Sequence, residues 1–112
     1  MTGNFPRRGS IYWVPLDPAV GSETRKTRPC MIISNDQGNE FSQTVIVAPI
    51  TSKLKKVYSF EVKIEIEGKK GKIMLNQCRT VDKSRLGKMI CALNGDVMEE
   101  VNEAIRIAFG LA

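Results

Sequence analysis

Residues 60–67 alternate strictly between apolar and charged side chains, and this pattern constrains the fold more than any other feature of the sequence. The two sets interleave along the whole segment, Phe60, Val62, Ile64 and Ile66 against Glu61, Lys63, Glu65 and Glu67. A period of two places each set on its own face of a β-strand. The sequence Gly-Lys-Lys-Gly at 68–71 follows and predicts a hairpin connection. The segment therefore predicts an antiparallel strand with one face in solvent.

Other short runs rich in β-branched and aromatic residues predict further strands. Clusters of turn-forming residues, such as residues 34–39, separate several of these runs. The expected strands cover residues 9–16, 30–33, 44–50, 71–75, 77–81 and 88–93. Short strands in close succession favour a small β-barrel.

The last segment changes from a period of two to the period of a helix. Apolar residues recur on one helical face from Val97 to Ala108. We expect Asp96 to be the N-cap of this helix and Gly110 to end it. Because no repeat or linker divides the chain, we expect one domain over residues 1–112, mainly β with a C-terminal α-helix.

The charge and the missing histidine narrow the possible chemistry. Seventeen Lys and Arg stand against twelve Asp and Glu, which gives a net charge of +5, and the chain has no histidine. A positive surface is common in solvated domains, but it also suits a nucleic-acid partner, because Lys and Arg replace the counterions of phosphates. The absence of histidine excludes histidine acids, bases and metal ligands.

The cysteines and the hydropathy favour a cytoplasmic protein. Cys30, Cys78 and Cys91 are odd in number and widely spaced, which disfavours a zinc site or a disulfide framework and suits a reducing compartment. No apolar run approaches the roughly 20 residues of a membrane span, and the first residues contain no signal-peptide core. We therefore expect no metal, no cofactor and a cytoplasmic location.

Three polar segments are candidates for a functional site. The loop at 21–29 ends in Arg28-Pro29, and since proline suits a strand start or edge, Arg28 is expected at the mouth of a strand. Thr51 ends an apolar run and is suited either to binding a phosphate or to capping a turn. Gln77 and Arg79 would share one face of a strand, where they would contact base edges or phosphates or form a structural hydrogen-bonded pair. Each segment alone is also typical of an ordinary loop or strand end.

Taken in order, these segments resemble the MazF/PemK family of toxin endoribonucleases. The resemblance runs along nearly the whole chain, through residues 8–12, 16–18, 21–23, 28–29, 35–36, 45–51, 77–82 and the closing helix. It implies an SH3-like small β-barrel of the CcdB/PemK/MazF type. It also implies a homodimer that carries an RNA groove, and a MazE-like antitoxin whose acidic tail occupies that groove.

The activity that the resemblance implies is mRNA-interferase activity, the sequence-specific cleavage of single-stranded RNA without a metal. The ribose 2′-OH attacks the adjacent phosphorus and leaves a 2′,3′-cyclic phosphate and a 5′-OH. The family's catalytic Arg and Thr correspond to Arg28 and Thr51, and its Gly-Ser-Glu acid corresponds to Glu23. We expect the RNA-contacting residues to be Ser22, Arg25, Lys26, Asn76, Gln77 and Arg79. Lys53, Lys55 and Lys56 are weaker candidates.

The proton acceptor departs from the family pattern. Many relatives carry an acid immediately before the Gln-x-Arg segment, whereas this chain has Asn76, which cannot take a proton. Arg28 is a poor base because a guanidinium stays protonated throughout the physiological pH range. Glu23 is therefore our candidate general base, and Asn76 is either an RNA-contacting amide or a structural residue. Trp13 is expected in the core, with base stacking as the alternative.

Two other functions share this fold. A non-catalytic RNA-binding SH3-like module would use Arg28 only to hold phosphate. A CcdB-like toxin would poison DNA gyrase through a protein contact near its C-terminus, where residues 109–111 resemble the CcdB ending only in part. The presence of both Arg28 and Thr51 favours the endoribonuclease.

Overall fold

The elements of the structure, a computed structural model, are described over residues 4–23 and 26–111. The seven strands are β1 (Ser10–Pro15), β2 (Thr27–Ile32), β3 (Thr44–Thr51), β4 (Glu61–Ile66), β5 (Lys69–Met74), β6 (Arg79–Asp82) and β7 (Met89–Ala92). The helices are α1 (Asp36–Phe41) and α2 (Asp96–Ala108), with single 3₁₀ turns at Leu75–Gln77 and Lys83–Arg85. The expected mainly β fold with a C-terminal helix is confirmed.

β3 organises the sheet because it changes partners along its length. The strand order is β4-β5-β3-β2-β1-β7, and β6 pairs with β3 outside this path. The first half of β3 pairs with β6, residues 47–49 pair with β2, and Ile50 and Thr51 pair with β5. All of these pairings are antiparallel. The change of partner curls the sheet. Residues 27–29 at the start of β2 pair with β1 on one side, while on the other side β3 has already turned to pair with β5.

Two apolar clusters on opposite sides of the curled sheet form the core. One lies beneath α2 and includes Ile11, Met31, Ala48, Ile73, Leu75, Val101 and Ala104. The other lies on the opposite face and includes Val14, Leu16, Cys30, Ile32, Val45, Val47 and Val81. Because β2 and β3 contribute alternate residues to both clusters, their sequences read as continuous apolar runs. Each large side chain buried in this way contributes about 1.5–3 kcal/mol.

The hairpin between β4 and β5 is tighter than the sequence pattern predicted. Ile66 pairs with Lys69, so the connection is the two residues Glu67 and Gly68 and not residues 68–71. Both have positive φ, 51° and 80°, as a type I′ turn requires. Gly68 adopts that φ without steric cost, and Lys69 and Lys70 extend β5.

The ends of α2 confirm one expected cap and correct the other. The N-cap is Gly95, with φ of 63°, and the helix begins at Asp96, so the expected Asp96 N-cap is wrong by one residue. Gly110 ends the helix as predicted, with φ of 70° and a hydrogen bond of 2.7 Å from the N–H of Leu111 to the carbonyl oxygen of Arg106.

The cluster at 34–39 was predicted to be a turn, and the structure corrects this. α1 begins at Asp36 because the side chain of Asn35 accepts a hydrogen bond from the N–H of Gly38 at 2.7 Å, which is an N-cap. Asn is favoured both in turns and at helix N-caps, so the residue type alone does not separate the two. Within the described residues, no helix has the length and apolar character needed to span a bilayer.

Candidate active site

Three adjacent depressions, which share lining residues, form one surface groove. The central depression, of about 290 Å³, is lined by Ser22, Glu23, Arg28, Thr51, Lys53, Lys72 and Met74. Arg28 and Thr51 also line the first depression, of about 260 Å³, together with Trp13 and Pro29. Ser22 and Glu23 also line the second, of about 630 Å³, together with Asn76, Gln77 and Arg79. The groove therefore brings together most of the residues that the sequence singled out.

Arg28 and Thr51 lie just beyond the end of the ladder between β2 and β3. The ladder ends at the pair Cys30–Pro49, and Arg28 and Thr51 are each two residues beyond this pair on their own strands. Side chains two residues apart on a strand point to one face. At this point β3 has turned to pair with β5, so the two side chains lie where the sheet opens into the groove.

Thr51 serves the turn that follows β3 and also faces the groove. Its Oγ1 accepts a hydrogen bond from the backbone N–H of Lys53 at 3.2 Å, and the residue is only 7% exposed. A hydroxyl that accepts one hydrogen bond still has its O–H to donate. Turn capping and donation to a bound phosphate are therefore compatible in this geometry.

Glu23 is exposed on the groove and stabilises its own turn. Its Oε1 accepts a hydrogen bond from the N–H of Val20 at 2.6 Å, and its N–H donates to the carbonyl oxygen of Val20 at 3.1 Å. These two bonds fix the carboxylate where the central and second depressions meet. Ser22 lies beside it on the same wall of the groove.

The second depression gathers the polar residues of the third segment, but not on one strand as predicted. Gln77 ends the 3₁₀ turn at Leu75–Gln77, and β6 begins only at Arg79. Asn76 is exposed, and Nη1 of Arg79 donates to the carbonyl oxygen of Leu16 at 2.8 Å. Arg79 thus fixes the end of β1 while its guanidinium lines the groove.

Two of the expected RNA-contacting residues are not placed in the groove. Arg25 lies outside the described residues. Lys26 is exposed with φ of 73°, and its carbonyl oxygen accepts from the N–H of Leu16 at 2.9 Å, but among the described residues it is not part of the lining. Of the weaker lysine candidates, Lys53 lines the central depression.

The positive charges of Arg28 and Arg79 both lower the pKa of the same buried group, the thiol of Cys30. Burial raises the pKa of Cys30 to about 12, and the positive charges of Arg28 and Arg79 oppose this rise. Arg28 also lines the first and central depressions, and Arg79 lines the second. This concentration of positive charge is suited to binding phosphate.

The prediction that Trp13 lies in the core is wrong. Trp13 is 43% exposed and lines the first depression, beside Pro29, its partner on β2. Ile11, two residues earlier on the same face of β1, is fully buried in the cluster beneath α2. The expectation rested on the general tendency of tryptophan to be buried, which does not show where the covered part of a strand face ends.

Lys72 is a lining residue that the sequence interpretation missed. It is only 7% exposed, lines the central depression, and is the cross-strand partner of Thr51. The available signal was a lysine between Gly71 and Ile73, within a run predicted to be a strand. Lysine is almost never buried unless it is paired.

The chain is similar to proteins of one toxin family. Residues 7–109 match the family described as the PemK-like, MazF-like toxin of type II toxin-antitoxin systems. Endoribonuclease EndoA of Bacillus subtilis (strain 168) is 40% identical over 111 residues, which cover 94% of this chain and 95% of that protein.

Solved structures agree with this match. The crystal structure of MazF from Deinococcus radiodurans superposes with a TM-score of 0.83 at 27% identity, covering 97% of this chain and 100% of that chain. A MazE-MazF crystal structure from the same organism gives a TM-score of 0.76 at 26% identity, covering 96% of this chain and 98% of that chain. By sequence and by fold, the chain belongs to the PemK-like, MazF-like toxin family of type II toxin-antitoxin systems.

Proposed function

We propose that this chain is the toxin of a toxin–antitoxin pair and acts as an endoribonuclease that cleaves single-stranded RNA without a metal ion. The observation that carries the proposal is the position of Arg28 and Thr51, which line the same depression beside the carboxylate of Glu23. EndoA, which is 40% identical, is named an endoribonuclease. We expect the protein to act in the cytoplasm, where mRNA is its substrate.

The residue types suit 2′-OH attack on a phosphodiester. A bond forms between the 2′ oxygen and phosphorus as the bond from phosphorus to the 5′ oxygen breaks, while negative charge grows on the equatorial oxygens. The guanidinium of Arg28 can contact two of these oxygens, and the hydroxyl of Thr51 can donate to one. Loss of one such donor typically costs about 100- to 1,000-fold in rate.

The 2′-OH proton needs an acceptor, and Glu23 is the carboxylate that lines the central depression. Its position at the junction of two depressions suits a base beside the phosphate site. The 5′ oxygen takes up a proton as it leaves, which gives a 5′-OH and a 2′,3′-cyclic phosphate. DNA lacks the attacking hydroxyl and is not cleaved by this route.

The flanking depressions suit recognition of the neighbouring nucleotides. Asn76, Gln77 and Arg79 present amide and guanidinium groups that can hydrogen-bond base edges or phosphates, and Ser22 adds a hydroxyl. On the other side, the exposed ring of Trp13 can stack on a base. We assign contacts with RNA also to Arg25 and Lys26, which come shortly before Arg28 in the sequence.

The same groove suits inhibition by an antitoxin. Its lysine and arginine side chains would attract an acidic peptide by the charge complementarity that attracts RNA. The related Deinococcus radiodurans protein has been crystallised as a MazE-MazF complex. We therefore expect a MazE-like antitoxin whose acidic segment competes with RNA, and a homodimeric toxin. Simultaneous and independent binding of RNA and such a peptide would contradict this mode of inhibition.

Cleavage of a long mixed-sequence RNA in the presence of EDTA tests the proposed activity. Wild type should cut at short sequences, and Arg28→Ala should be about 100- to 1,000-fold slower. Arg106→Ala is the matched control, because it removes an exposed arginine of α2 whose ion pair with Glu103, at 3.1 Å, contributes little to stability. RNA binding without cleavage by wild type would indicate a binding module. Inhibition of DNA gyrase without RNA cleavage would indicate a CcdB-like toxin.

A further inference from the structure

A buried ion pair lies directly beside the proposed phosphate site. Nζ of Lys72 is 2.9 Å from Oε1 of Glu61, and the two side chains are only 9% and 6% exposed. Compared with apolar side chains of similar volume, a buried ion pair often adds no stability, because both charges must be desolvated. Its presence at this position therefore calls for an explanation other than stability alone.

The contacts of the pair fix the connection between β3 and β4. Nζ of Lys72 also donates to the carbonyl oxygen of Lys56 at 2.5 Å, and Oε1 of Glu61 accepts from the N–H of Tyr58 at 2.9 Å. Lys56 and Tyr58 both belong to the segment 52–60, which begins immediately after Thr51. The pair therefore holds the far end of this segment against β4 and β5.

The near end of the segment is held by Thr51 itself. Its Oγ1 accepts from the N–H of Lys53 at 3.2 Å, and this bond helps to set the rotamer of the Thr51 side chain. Thr51 and Lys72 are also cross-strand partners in the β3–β5 ladder, so their side chains share one face. Movement of residues 52–60 would consequently disturb both the capping bond and the direction of the hydroxyl.

We propose that Lys72, fixed by Glu61, is a positioning residue that holds the 52–60 segment and thereby directs the hydroxyl of Thr51 towards the reacting phosphate. The proposal rests on the proposed endoribonuclease function. Lys72 acts through Thr51, because its ammonium already donates to Glu61 and Lys56 and its charge is balanced by a carboxylate.

A double-mutant cycle separates this role from a purely structural one. Lys72→Met should lower kcat by about 10- to 100-fold, the size expected for a misplaced catalytic group, with a smaller change in KM. In a Thr51→Val background, which lacks the hydroxyl, Lys72→Met should cause no further loss of kcat. Additive losses in the two backgrounds would contradict the proposal.

Two further variants control for folding and for charge. The double variant Lys72→Met with Glu61→Gln leaves no buried carboxylate unpaired. If this protein and Lys72→Met both melt cooperatively, the two should have the same kcat. Lys88→Met removes an exposed lysine before β7 and should leave kcat unchanged. If wild type cleaves RNA and Thr51→Val impairs it, but a folded Lys72 variant matches wild type, only this inference fails. If wild type does not cleave RNA, the proposed function itself fails.

Discussion

Arg28 and Thr51 come from different strands, yet they line the same two depressions because β3 leaves β2 two residues before they would pair. A guanidinium and a hydroxyl are thereby placed together at a point where the sheet opens. Regular pairing to the end of both strands would have used this space for a continued ladder. The site is thus a consequence of the change of partner along β3.

Glu23→Gln separates the catalytic from the structural function of this carboxylate. Glutamine retains an oxygen that can accept from the N–H of Val20, which Oε1 of Glu23 accepts at 2.6 Å, but it cannot take a proton. We expect kcat for RNA cleavage to fall by about 100- to 10,000-fold, the usual contribution of a general base. Single-turnover cleavage rates measure this directly.

Glu23→Ala is the comparison variant, because it removes both the proton acceptor and the turn contact. Its rate should be at most that of Glu23→Gln. Wild-type activity in Glu23→Gln together with loss of activity in Glu23→Ala would assign Glu23 to the turn alone and leave the base to another group.

Trp13→Ala should weaken RNA binding. Base stacking on an aromatic ring contributes about 1–3 kcal/mol, which is about 5- to 150-fold in Kd. Fluorescence anisotropy of a labelled RNA measures Kd in a Thr51→Val background that cleaves slowly, because Trp13 is the only tryptophan and the Trp13→Ala protein has no tryptophan signal of its own. Phe41→Ala on α1, where the ring is 76% exposed, is the matched control. Equal Kd values for Trp13→Ala and Phe41→Ala would remove Trp13 from the RNA site.

We predict that the protein loses stability at alkaline pH because the thiol of Cys30 is buried. Burial raises its pKa from 9.0 to about 12, so the unfolded thiol ionises in a range where the native thiol stays protonated. The contribution of the buried thiol to the free energy of unfolding is complete below pH 9. It is lost as the pH rises towards 12, by about 1.4 kcal/mol per pH unit. The difference in unfolding free energy between wild type and Cys30→Ala, measured with urea, should follow this slope. Parallel pH curves for the two proteins would contradict it.

Much of the fold followed from local patterns. The alternation at 60–67 predicted β4, and the β-branched run at 44–50 predicted nearly all of β3. Each pattern reflects burial of one or both faces of the strand. α1 was missed, since the residues that cap a short helix are also those that form turns. The conformation of Gln77 was missed because alternation assumes that a strand is continuous.

The site was predicted only in part, because its key features depend on contacts between distant segments. The sequence predicted that Arg28-Pro29 and Thr51 lie at the ends of strands, and the resemblance to a family implied their catalytic roles. The burial of Lys72 depends on Glu61 of the neighbouring strand, and the exposure of Trp13 depends on how the other elements pack around β1. Neither can be derived from the spacing of residues along the chain.

The most direct test of the central claim uses RNA oligonucleotides that contain one mapped cleavage site, incubated with the wild-type protein in EDTA. One oligonucleotide is all-ribose, and the other carries a single 2′-deoxynucleotide immediately 5′ of the scissile phosphate. We predict that the first yields a 2′,3′-cyclic phosphate and a 5′-OH, and that the second binds but is not cut at that position. Cleavage of the deoxy-substituted oligonucleotide at the same phosphate, or a product with a 5′-phosphate, would contradict attack by the 2′-OH.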